Sequence, residues 1–279
     1  MTIKAIVLDI DGTLLTDDKQ ISPATKHALL NAQKKGIKVV LASGRPPSGM
    51  IHLAKQLEMD KYHGIIAAYN GAYVFDLTSQ KVLFSQPLSI ETSKAILDHL
   101  KHFTVIPMIA KDDYMYVNDV FNGYLTITPD KAPVNIIEYE SRGGQFSLCE
   151  KKDLAAFVDF PLHKILVAGE PNYLKENAEK ILSPFKDIVC GLFSAPMYFE
   201  FTDQGVDKAN ALEQVLAAQD IQANQLIAFG DGHNDLTLIQ YAGTGVAMGN
   251  AVEALKQAAT YVTLSNNEDG IAVALNKFL

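Results

Sequence analysis

Short, almost uninterrupted apolar runs, each leading through a turn into a helix-period segment, constrain this chain more than any other feature. Ala5 to Ile10 is the first run, Ile37 to Ala42 the second and Ile65 to Ala68 the third. Leu226 to Phe229 and Gly245 to Met248 repeat the pattern towards the other end. Strands that are apolar throughout, rather than on alternate residues, are buried on both faces, and the intervening helices supply the cover. The expected class is α/β with a Rossmann-like parallel sheet. Ser22-Pro23 marks one helix start, with serine as N-cap and proline at the first helical position, and Gly36 closes that helix.

The rhythm changes between about Val82 and Phe201. Strand candidates at Tyr114 to Val117, Lys164 to Val167 and Met197 to Phe201 still alternate with helices, but glycines and prolines interrupt them irregularly. The first rhythm resumes near Gly205. Residues 1–82 and 202–279 are therefore read as one discontinuous core domain, and 83–201 as an inserted α/β cap domain. A chain of 279 residues, 48% of them hydrophobic, is long enough to bury two cores.

Three of the core strands end in polar clusters: Asp9-Ile10-Asp11-Gly12-Thr13, Ser43-Gly44-Arg45, and Gly230-Asp231-Gly232-His233-Asn234-Asp235. In open α/β sheets, ligands bind beyond the carboxyl ends of the strands. If these strands are neighbours, the clusters meet in one crevice. Asp9 and Asp11 are close enough to repel each other, and burying them unpaired is costly. Asp9, Asp11 and Asp231 offer hard oxygen ligands of the kind Mg²⁺ takes, and a divalent ion would offset that repulsion. The competing reading makes Asp11-Gly12 a plain turn, and it has to explain the other two clusters separately. Lys208 stands at the start of a predicted helix, where the dipole disfavours a cation, so contact with a phosphate is expected of it.

The chain resembles the Cof-type phosphatases of the haloacid dehalogenase superfamily. The motifs that carry the resemblance are DIDGTLL (9–15), LASGR (41–45), GVDKANAL (205–212) and GDGHNDL (230–236), joined by GVAMGNA (245–251) and SNNEDGIA (265–272). The resemblance implies a core with a large α/β cap inserted after the second motif. It also implies a Mg²⁺-dependent phosphatase working through an aspartyl-phosphate. Asp9 would be the nucleophile, and Asp11 would exchange protons with the leaving oxygen and with water. Asp9, Asp231 and the backbone carbonyl of Asp11 would ligate the metal. Ser43, Gly44, Lys208, Asn234 and the backbone of Ile10 would hold phosphate oxygens, and Asp235 would position the metal's waters from behind the ligands. His233 and Ala209 depart from the glutamate and glycine common in the family. Thr13 is read as capping the turn, and Arg45 as structural or as a contact to the cap. By residue type alone Asn234 could equally cap a helix at Asp235 to Tyr241. His99 and His102 read as a solvent-facing pair.

The implied substrate is a small phosphorylated metabolite, with sugar phosphates foremost, because a domain inserted over the site leaves little room for a protein. A phosphohexomutase of related fold and a non-catalytic phosphate-metabolite sensor are the alternatives. A formal net charge of -8 argues against nucleic acid as partner. No apolar run approaches a membrane span, the start lacks the shape of a signal peptide, and Cys149 and Cys190 form no CxxC pair. A cytoplasmic enzyme is expected.

Overall fold

Every residue of Ala5–Leu8, strand β1, is buried. Ile6, Leu8 and their neighbours Leu41 and Phe229 expose nothing to solvent, and each such side chain contributes about 1.5–3 kcal/mol of hydrophobic stabilisation. The computed structural model describes residues 2–128 and 131–279. It divides into two units, Met1–Ser85 with Asp207–Leu279, and Gln86–Val206.

The first unit is built on an eight-stranded sheet. Its strands in chain order are β1, β2 (Lys38–Ala42), β3 (Ile65–Ala68), β4 (Tyr73–Asp76), β5 (Val82–Ser85), β6 (Leu226–Gly230), β7 (Thr244–Ala247) and β8 (Tyr261–Val262). Across the sheet they run β8-β7-β6-β1-β2-β3-β4-β5. All pairings are parallel from β8 to β3, and β4 and β5 add on antiparallel. The chain thus builds outward from β1 in one direction, returns from the second unit, and builds outward from β6 in the other. The switch falls between β1 and β6, where Leu8 is in register with Phe229 on one side and Leu41 on the other. That is where a doubly wound sheet opens a crevice. The expected helix after Ser22 is present as Pro23–Lys34, and Ser22 Oγ accepts from Thr25 N.

The second unit has a six-stranded sheet in the order Ser147–Glu150, Tyr114–Val117, Ile106–Lys111, Ile165–Ala168, Tyr198–Asp203, Val189–Ala195, with a separate pairing of Tyr124–Leu125 and Val134–Asn135. Only the first pair in the sheet is parallel. Alternate residues face opposite sides. Ile165, Val167, Phe199 and Phe201 join the cluster with Ile96 and Leu97 from helix Ile90–Leu100, and Leu166, Ala168 and Tyr198 join the other cluster.

Val82–Ser85 pairs with β4, and Tyr198–Asp203 is an interior strand of the second sheet. The units therefore divide a few residues beyond 82/83 and 201/202. Of the pair expected to face solvent, His102 is exposed and His99 is half-buried. Its ring packs edge-on to Phe103 and Phe185, because it lies beside the apolar stripe of its helix. Among the described residues, no helix is long and apolar enough to cross a membrane.

Candidate active site

The three polar clusters lie at the carboxyl ends of β1, β2 and β6, which are adjacent strands. Asp9 continues the ladder of β1, its N–H bonding to Phe229 O at 3.1 Å, and is buried. The chain then folds back at once, Leu14 N bonding to Asp9 O at 3.3 Å and Leu15 N to Ile10 O at 2.9 Å. Gly12 makes this turn at φ +74°, and a Cβ there would stand 2.3 Å from Asp231 Oδ2. Glycine is thus required for the backbone conformation and for the approach of the two loops. After β2, Ser43 is buried and its Oγ accepts from Arg45 N at 3.2 Å.

Beyond β6, Asp235 Oδ2 accepts from the N–H groups of Asp231 and Gly232 at 3.0 and 3.1 Å. Its Oδ1 accepts from Lys208 Nζ at 2.7 Å, and the same ammonium donates to Asp9 Oδ1 at 2.6 Å. Lys208 is fully buried at the first position of helix Lys208–Ala217, whose N-cap Asp207 accepts from Ala209 N and Asn210 N. Lys208 is thus held between two carboxylates, partners that its place in the sequence does not announce.

Asp9, Asp231 and Asp235 each present a carboxylate oxygen within 4.8 Å of the other two. With Lys208 as the cation between Asp9 and Asp235, three carboxylates and one ammonium leave a formal charge of -2 when all are ionised. The strain shows in their proton affinities. Burial and the charge of Asp235 push the Asp231 carboxyl up to about 6, against a hydrogen bond from Thr13 Oγ1 at 3.0 Å. Burial, then the charge of Asp235, also raises Asp9 well above the ordinary carboxylate value, against the pull of Lys208. Burial works to lower Lys208, but Asp235 and Asp9 outweigh it and hold the ammonium protonated. A charge of -2 on hard oxygen donors fits a divalent cation of the Mg²⁺ kind.

The carboxylate of Asp11 stands outside this cluster. Arg45 grips it with both Nε and Nη2 at 2.7 Å, and Lys19 Nζ adds a third bond at 3.0 Å. Burial tends to raise this carboxyl, but the Arg45 and Lys19 contacts outweigh it and hold it below the ordinary value. Arg45 is therefore the partner of Asp11, a pairing that the residue types alone did not suggest. Asn234 does not cap the following helix. A short 3₁₀ turn, His233–Asp235, intervenes, and Asn234 Nδ2 donates to Asn70 Oδ1 at 3.3 Å. Asn70 also packs its carboxamide against Gly44 and gives its N–H to Ser43 O. It was missed although Asn70-Gly71 follows the third apolar run as the other clusters follow theirs. His233 is exposed and Ala209 buried.

The family model for haloacid dehalogenase-like hydrolases matches residues 6–275. The solved structure of a haloacid dehalogenase-like hydrolase from Bacteroides thetaiotaomicron superposes with a TM-score of 0.91 at 31% identity, covering 100% of both chains. The chain is 28% identical to the 5-amino-6-(5-phospho-D-ribitylamino)uracil phosphatase YitU of Bacillus subtilis, over 98% of this chain and 96% of that one. It is 27% identical to the pyridoxal phosphate phosphatase YbhA of Escherichia coli, over 98% of this chain and 97% of that one.

Proposed function

This chain belongs to the haloacid dehalogenase-like hydrolases and is a phosphatase, and from that premise we propose that it hydrolyses small phosphomonoesters, sugar phosphates foremost, with Mg²⁺ and a covalent step on Asp9. The observation that carries this reading is the cluster of buried Asp9 and Asp235 with half-buried Asp231, which with all three ionised is two charges short of neutrality even with Lys208 in place. A divalent ion held by Asp9, Asp231 and the Asp11 carbonyl, with Asp235 behind them, would offset the charge of the cluster and supply positive charge beside the phosphate oxygens.

Lys208 fixes Asp9 Oδ1 and so orients the other carboxylate oxygen for attack on phosphorus. A new Asp9 O–P bond forms as the ester O–P bond breaks, and the leaving alkoxide takes a proton from Asp11. Water then attacks the aspartyl-phosphate, gives its proton to Asp11, and frees phosphate and the Asp9 carboxylate. Paired with Arg45 and Lys19, Asp11 is held in its ionised form, which suits the second half. To serve the first half it has to take up a proton and part from Arg45. Ser43, the backbone at Gly44 and Ile10, Lys208 and Asn234 hold the phosphate oxygens in this reading. The substrates named for YitU and YbhA are both small phosphate esters. The same reading makes the protein cytosolic, which suits two cysteines not joined in a disulfide.

The test is phosphate release from hexose and pentose phosphates, nucleotides, pyridoxal phosphate and p-nitrophenyl phosphate, with Mg²⁺ and with a chelator. Release is expected to be fastest from sugar phosphates and to vanish with the chelator. Release that survives metal removal, or that is confined to nucleotides, contradicts the proposal. An isomerised sugar phosphate without free phosphate would make the enzyme a mutase.

The cluster also predicts how the metal affects stability. Asp231 has a folded value of about 6 against an ordinary 3.8, so between these values the folded protein binds more protons than the unfolded one. Metal-free stability therefore falls as pH rises through this window. Mg²⁺ should raise the unfolding midpoint clearly at pH 7.5 and little at pH 5, where protons compete for the site. Equal shifts at both pH values would mean that Mg²⁺ binds elsewhere.

A further inference from the structure

Residues 245–251 and 265–272 supply none of the reacting groups proposed above, yet they tie together the loops that do. Met248 N donates to Gly230 O at 3.0 Å and Val252 N to Asp231 O at 2.9 Å. Between them, Asn250 Nδ2 donates to Gly12 O at 2.8 Å. The turn 248–252 is thus bonded both to the loop that carries Asp231 and to the loop that carries Asp11.

A second carboxamide continues the connection. Asn250 Oδ1 accepts from Asn266 N at 3.0 Å, and the buried Asn266 side chain donates to Leu15 O at 2.9 Å and Asp17 Oδ1 at 3.2 Å. Asn267 holds the same loop from outside, accepting from Asp17 N at 3.0 Å and donating to Asp17 Oδ2 at 2.9 Å. The two segments approach closely because residue 249 is glycine. A Cβ there would lie 2.8 Å from Ser265 N. A carboxamide donates without carrying charge, so it can hold a carbonyl beside the carboxylate cluster without competing for the carboxylates as a lysine would.

We propose that Asn250 and Asn266 are positioning residues, clamping the carbonyls of Gly12 and Leu15 and thereby setting where Asp11 stands relative to Asp9 and Asp231. The inference rests on the assignment of Asp11 as proton donor to the leaving oxygen. Arg45 and Lys19 grip Asp11 at its carboxylate. Its backbone is fixed by the turn between Asp9 and Leu15, which the two asparagines pin.

The test compares Asn250→Ala, Asn266→Ala and Asn250→Asp with wild type on an alkyl phosphate and on p-nitrophenyl phosphate. An alkoxide needs a proton to leave and nitrophenolate does not. Misplacing the donor should lower kcat/KM for the alkyl ester on the order of 10²-fold, with far less loss for the nitrophenyl ester, because kcat/KM ends at transfer to Asp9 and leaves out the later hydrolysis, in which Asp11 serves both esters alike as base. Asn250→Asp keeps the shape without the donor and guards against loss of folding. Hydrogen exchange of the amides of 12–17 should also quicken in each variant. Asp11→Asn, run in parallel, should show the same split between esters. If it does and the asparagine variants do not, or if exchange in 12–17 is unchanged, the positioning role is wrong. If Asp11→Asn itself shows no split, its assignment as donor fails and the positioning role falls with it.

Discussion

Asp9→Asn is expected to abolish phosphate release while leaving the protein folded, a loss in kcat of at least about 10⁴-fold, as when a covalent nucleophile is removed. The amide is nearly isosteric, and its oxygen can still accept the bond that Lys208 makes to Asp9 Oδ1. The variant therefore loses a nucleophile without opening a cavity. It also removes one of three clustered carboxylates, at a position where burial and the charge of Asp235 resist ionisation. Without Mg²⁺ the variant should melt at the wild-type temperature or above. Steady-state phosphate release and a thermal melt measured on the same preparation decide the matter. A folded variant that keeps more than about a tenth of wild-type activity would remove Asp9 from the nucleophile's role.

Lys208→Met should damage both activity and fold. Methionine fills much of the space but leaves Asp9 and Asp235, both buried, without the ammonium that bonds to each at 2.6 and 2.7 Å. Breaking a buried ion pair by removing one partner costs about 3–5 kcal/mol, because the other charge is left uncompensated. Catalysis should fall by about 10²–10³-fold, the usual effect of deleting one group that stabilises developing charge. The stability loss should be larger at pH 8 than at pH 5, since burial already raises the Asp9 carboxyl and its protonation relieves the stranded charge. Mg²⁺ should restore part of it by supplying the missing positive charge. Urea unfolding at the two pH values, with and without the metal, tests this. A variant as stable as wild type at pH 8 would show that Lys208 does not offset buried negative charge at Asp9.

Much of the fold and part of the site were legible in the residues. The almost uninterrupted apolar runs at 5–10, 37–42, 65–68 and 226–229 are those of strands covered on both sides, and the polar residues at their ends were expected at one edge of the sheet. Lys208 at a helix start stood out as a lysine with a reason to be there, but its two carboxylate partners were not legible. The contacts that give these groups their properties were not legible. Arg45 gripping Asp11, Asn70 receiving Asn234 and Asn250 holding Gly12 each join side chains whose types are unremarkable where they stand.

Local pattern determined the strands, the Ser22 cap and the chemistry present at each strand end, because burial and capping act within a few residues. Which ends met was decided by sheet order, which sets β6 beside β1 and brings Thr13 to Asp231 across 218 residues of chain and Asn266 to Leu15 across 251. No local periodicity carries that information. The partner that each charge finds, and hence its proton affinity, depends on which strands pair and in what register, and these are set only when the whole core packs.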